Sequence, residues 1–132
     1  MTGRELAVLA AWLADAKRGG EIVIYDLRGL SDVTDFFVIV TAGSSLQSRA
    51  VVLGVERGMK PAGARLLGQE GAARSPWVLM DYGEVVVHVF SPELRRYYSL
   101  ESLWGDAPKV DWRAEGKGWA EQHATESRRS RS

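Results

Sequence analysis

A single α/β domain, a mixed β-sheet flanked by helices, is the fold class that this sequence predicts, and three observations predict it. The chain has 132 residues, a size at which one hydrophobic core buries about two-thirds of the unfolded surface. Amphipathic helical patterns are interspersed with short β-branched runs in the order helix, strand, strand, helix, strand, strand, strand, helix. Strands that follow one another directly, without an intervening helix, point to a mixed sheet rather than a doubly wound parallel one.

The first helix is read from Glu5 to Lys17, where Leu6, Leu9, Ala10, Leu13 and Ala16 recur at steps of three and four. Thr2 and Glu5 offer a capping box at its start, and Gly19-Gly20 is expected to cap its end. The runs Ile22–Tyr25 and Phe36–Val40 are almost continuously apolar, as strands covered on both faces are. Between them "DLRGLSDVTD" supplies turn residues. A second helix is predicted from about Leu46 to Lys60, with Ser44 or Ser45 as its N-cap and Pro61 and Gly63 closing it. "ARLLGQEG" reads as a weaker strand, because Gly68 removes packing and Gly71 ends it. Trp77–Met80 and Val85–Phe90 form a hairpin in which Gly83 is free to take the positive φ of a tight connection. Ser91-Pro92-Glu93 opens a last helix carrying Leu94, Tyr97, Tyr98, Leu100, Leu103 and Trp104. The folded domain is placed at residues 1–104. Residues 105–132 lose the pattern in glycine, charge and "SRRSRS" and are expected to form a flexible charged tail.

Seventeen basic and seventeen acidic residues cancel, so any contact with nucleic acid has to come from a local patch. With no cysteine, disulfide scaffolds, thiolate metal sites and thiol nucleophiles are all excluded. No apolar run approaches the roughly twenty residues of a membrane span, and the N-terminus lacks an export pattern; a cytoplasmic location is expected.

Reactive chemistry is sparse. Gly43-Ser44 lies between a strand and a helix, where backbone N–H groups can hold phosphate. A nucleotide-binding or nucleotidyltransferase-type enzyme built on that turn is the alternative reading, but the segment after this helix offers only Glu70 as a carboxylate for magnesium. His88 and His123 have no spacing that completes a metal site. His88 shares a strand face with Val86 and Phe90, and its expected role is that of a half-buried hydrogen-bonding residue. No catalytic residue, metal or cofactor is predicted. What stands out is Trp77, Tyr82, Arg95, Arg96, Tyr97, Tyr98 and Trp104, residue types that dominate binding hot spots. The plain alternative is that the rings fill the core.

Four segments then occur in order: "DLRGLSDVTDFFVIVTAGSSLQSRA", "GQEG", "WVLMDYGEVVVHVF" and "RRYYSLESLW". They join Asp26, Thr34-Asp35, Gly43-Ser44-Ser45, Glu70-Gly71, Trp77, Asp81, Gly83, His88, Arg95, Tyr98, Leu100-Glu101 and Leu103-Trp104. Together these resemble the ribosomal silencing factor, or Iojap-related, family from about Leu6 to Trp104, with the tail outside. The resemblance implies a nucleotidyltransferase-like topology without its catalytic carboxylates. It also implies a translational repressor that binds the large ribosomal subunit through its fourteenth protein and blocks joining of the small subunit when nutrients are limiting. Trp77, Asp81 and Tyr82, then Glu70, Tyr97 and Tyr98, are the expected partner-binding residues, forming a partly acidic surface against a basic ribosomal protein. Arg128, Arg129 and Arg131 in the tail could touch ribosomal RNA, and the aromatic surface could pair isologously as a homodimer of the free protein.

Overall fold

Helix α1 (Gly3–Ala16) starts on the capping box: Thr2 Oγ1 accepts the Glu5 amide at 3.1 Å, and the Glu5 carboxylate accepts the Thr2 amide at 2.9 Å. Its end differs from the expected glycine cap. Lys17 is the C-cap and Arg18 takes the left-handed conformation at φ 64°, while the Gly19 and Arg18 amides donate back to the carbonyls of Ala14 and Asp15. This is a Schellman closure with arginine in the position usually held by glycine. Gly20 is already the first residue of β1 (Gly20–Asp26).

The computed structural model describes residues 1–72, 74–99, 102 and 104–129, with side chains as far as Thr125. Beyond α1 and β1 the chain forms β2 (Phe36–Thr41), α2 (Ser45–Met59), a 3₁₀ turn at Lys60–Ala62, β3 (Gly68–Glu70), β4 (Trp77–Asp81), β5 (Val85–Phe90) and α3 (Pro92–Tyr98). It ends with β6 (Lys109–Val110), α4 (Trp112–Gly116) and α5 (Trp119–Arg129). The strand order is β3-β4-β5-β2-β1-β6; β5 and β2 run parallel and every other neighbouring pair is antiparallel. The predicted mixed sheet is therefore present. The weak strand is only three residues long, and the last predicted helix stops at Tyr98, where Ser99 is left-handed. Leu100, Glu101 and Leu103 lie outside the described residues.

Strand alternation divides the core. Ile24, Phe36, Val38, Val40, Val78, Met80, Val85, Val87 and Val89 face α1 and α2. Tyr25, Ile39 and Phe90 face the other way, under Leu27, Leu94, Trp104 and Ala107. The latter cover reaches only part of the sheet.

From Gly105 to Arg129 the chain is not a flexible tail. The segment adds β6 to the edge of β1 and packs α4 and α5 beside α1. Val110, Trp112, Ala120 and Ala124 are buried. Trp12 donates its indole N–H to the Trp112 carbonyl at 2.9 Å, Trp112 donates its own to the Ile22 carbonyl at 3.1 Å, and Arg4 forks onto Glu115. Gly116 lies so close to the Trp12 ring that a Cβ there would collide with it. Trp112 and Gly116 on α4, and Ala120 and Ala124 on α5, each pair four residues apart, suffice to bury one face of each helix, and polar neighbours mask them in the average composition. The side chains of Arg128 and Arg129, and all of Arg131, to which an RNA contact was assigned, lie outside the described residues. No helix among the described residues is long and apolar enough to cross a membrane.

Candidate functional site

Alternation along β4 sends Val78 and Met80 toward the helices and Trp77, Leu79 and Asp81 to the opposite face. The hairpin to β5 closes tightly: the Tyr82 amide donates to the Val85 carbonyl at 2.9 Å and the Gly83 amide to Asp81 Oδ1 at 2.8 Å, with Gly83 at φ 85°. Asp81 thus holds the turn while its carboxylate borders an open cleft of about 540 Å³, shared with Val33, Phe37, Glu70, Leu79, Val86 and His88. Among the described residues, the charged side chains lining it are both acidic, Glu70 and Asp81. A second cleft, of about 420 Å³, continues past Trp77 to Leu94 and Tyr98 and shares Glu70 and Leu79 with the first.

Trp77 lines the second of them, half-buried. Its indole N–H donates to His88 Nδ1 at 3.1 Å, and its ring lies 5.2 Å from Phe90 and 5.3 Å from Tyr98. Accepting at Nδ1 puts the proton of the neutral imidazole on Nε2. Burial pushes the His88 pKa down to about 4. His88 is more enclosed than its expected half-buried state: only 4% is exposed, stacked on Phe90 and edge-on to Phe37 at 4.6 Å, and Nε2 has no partner.

Of the six partner-binding residues expected, Glu70, Trp77 and Asp81 share the open face, and Tyr98 extends it. Tyr97 is exposed beside Tyr98, ring to ring at 5.3 Å. Tyr82 does not join them. It packs against the helix-side core, its hydroxyl buried without a partner, and burial raises its pKa well above the ordinary tyrosine value. One step along a strand reverses the face, so the residue after Asp81 points away from it. Arg95 is likewise turned inward, 8% exposed, donating to Thr41 Oγ1 at 2.8 Å. Sequence reasoning missed Leu79, Phe37 and Val33. Leu79 was legible from the two-residue period between Trp77 and Asp81; Val33, 87% exposed, precedes the strand and gave no periodic signal.

Comparison with known proteins gives the chain a family. The family described as "Ribosomal silencing factor during starvation" matches residues 1–132. This chain belongs to the ribosomal silencing factor family. The chain is 39% identical over 111 residues to the ribosomal silencing factor RsfS of Halalkalibacterium halodurans, covering 84% of this chain and 95% of that one. It is equally 39% identical over 111 residues to the RsfS of Bacillus subtilis, covering 84% and 94%. A crystal structure of a Chromobacterium violaceum protein superposes with a TM-score of 0.76 at 35% identity, covering 80% of this chain and 88% of that one. The silencing-factor match includes β6, α4 and α5, the elements first read as a tail. Both named relatives carry a regulator's name. Among the described residues no three His, Cys, Asp or Glu side chains group so as to hold a metal ion.

Proposed function

We propose that this protein represses translation by seating the open sheet face around Trp77 on the large ribosomal subunit, through that subunit's fourteenth protein, and excluding the small subunit by bulk. The observation that carries the reading is the uncovered end of the sheet, where a half-buried tryptophan and Leu79 lie beside Glu70 and Asp81 in two adjoining clefts. An aromatic anchor with Glu70 in its cleft and Asp81 in the adjoining one suits a basic partner, since central aromatic side chains supply binding energy and complementary charge supplies steering. Repression when nutrients are limiting belongs to the same reading, as does the absence of any bond made or broken.

The test is subunit joining. Purified protein mixed with separated subunits at low magnesium is expected to keep them apart in a sucrose gradient and to migrate with the large one. Full ribosomes forming normally at saturating protein would end the proposal.

A further inference from the structure

Bordering the Ser75-Pro76 turn, which it shares with the Trp77 cleft, lies a smaller concavity of about 220 Å³. Gly43, Ser44, Ser45 and Ser48 from the start of α2 line it, together with Arg74 and Glu93. Two independent features mark it as a site. First, α2 is fifteen residues long and begins here; Ser44 Oγ accepts the Gln47 amide at 3.1 Å, which leaves the amides of Ser45 and Leu46 without partners inside the helix. Second, Ser48 is 6% exposed and its Oγ has no hydrogen-bond partner. A buried hydroxyl with nothing to bond is costly unless something arrives to meet it. Arg74, an exposed side chain at the rim, brings the positive charge that the helix terminus alone supplies only in part.

We propose that this cleft binds the phosphate group of a small phosphate monoester, or inorganic phosphate itself, independently of the face that docks on the ribosome. The volume lies below the roughly 300–1,000 Å³ of sites that engulf whole small molecules, so the phosphate enters and the rest of a monoester stays outside. Amides at the α2 terminus and the Ser48 hydroxyl donate to its oxygens, and Arg74 pairs with its charge. Glu93 sets the specificity. A carboxylate repels a bare anion but accepts the hydroxyl proton that inorganic hydrogen phosphate carries, and that a monoester carries as its monoanion, populated at and below about pH 6; sulfate carries no such proton.

The full-length protein, labelled with ¹⁵N, is titrated at constant ionic strength and about pH 6, where a monoester is partly protonated, with inorganic phosphate, ribose 5-phosphate and sulfate. The Ser45, Leu46 and Ser48 amides are expected to shift with both phosphates at millimolar concentration and less with sulfate. Tighter binding of ribose 5-phosphate assigns the site to an organic monoester; tighter binding of inorganic phosphate assigns it to the free ion. Arg74→Gln and Ser48→Ala are each expected to weaken binding by about tenfold, the loss of one charge-assisted hydrogen bond. Arg74 is a surface residue and Ser48→Ala removes an unpaired group, so both variants are expected to fold. No shift in the first turn of α2 with either phosphate, sulfate binding as tightly as phosphate, or unchanged affinity in both variants would overturn the proposal.

Discussion

Trp112 and Trp77 lie on opposite faces of one sheet, and each donates its indole N–H to a group in its own chain, yet only Trp112 is sealed. Trp112 is 7% exposed, bonded to the Ile22 carbonyl and edge-on to Trp12 at 5.6 Å, under cover that β6, α4 and α5 complete. Trp77 bonds to His88 and borders an open cleft that adjoins a second one through Glu70 and Leu79. A satisfied indole therefore does not separate a core residue from a binding residue. What separates them is how far the chain covers each ring, and among the described residues the cover around Trp77 is partial.

The comparison predicts opposite responses to the same truncation. Trp112→Ala is expected to cost about 3–5 kcal/mol of stability, as buried large-to-small changes do, and urea unfolding measures it. Retention of near-native stability would mean that α4 and α5 are not part of the cooperative core.

The next effect is set by pH. The folded pKa of His88, about 4, lies below its ordinary value near 6.5, so between these two the unfolded chain binds a proton that the folded chain refuses. Stability is then full above about pH 6.5 and falls as pH drops toward 4, by up to about 3 kcal/mol. His88→Gln is expected to flatten that stretch of the stability profile; an unchanged slope would place the pH dependence elsewhere.

Trp77→Ala sharpens the contrast from the other side. It is expected to weaken binding to the large subunit by about 2 kcal/mol or more while lowering stability less than Trp112→Ala. A folded variant with unaltered affinity, measured by co-sedimentation, would make Trp77 a core filler like its counterpart.

The smallest effect belongs to Tyr82. Its hydroxyl is buried, unpartnered and on the helix side, so Tyr82→Phe is expected to leave ribosome affinity unchanged and stability unchanged or slightly raised, within about 1 kcal/mol. A clear loss of affinity would put Tyr82 back on the docking face.

Much of this is legible in the sequence. The Thr2–Glu5 box, the Ser44 and Ser91 caps, the paired strands and the Gly83 turn follow from residues within a few positions of one another, where local hydrogen bonding and backbone sterics decide the outcome. The resemblance running from Asp26 to Trp104 pointed to the family for a similar reason: its motif positions stand in order along the chain. Trp77, Asp81 and Glu70 were placed together because hairpin pairing is itself local.

Which face of the sheet is covered was decided only in three dimensions, because covering joins residues far apart in the chain. The sequence of α1 held a hint: Ala7, Val8, Ala11 and Ala14 are apolar outside the stripe of Leu6, Leu9, Ala10, Leu13 and Ala16, and all four are buried. A helix apolar on most sides needs a second neighbour. Nothing local named that neighbour as the segment around Trp112, Ala120 and Ala124, because pairs of residues four apart disappear in a polar average. The inward turns of Tyr82 and Arg95 have the same origin. Residue type makes each a candidate for an interface, while strand alternation and the Thr41 hydroxyl, brought close by the fold, determine where each side chain ends.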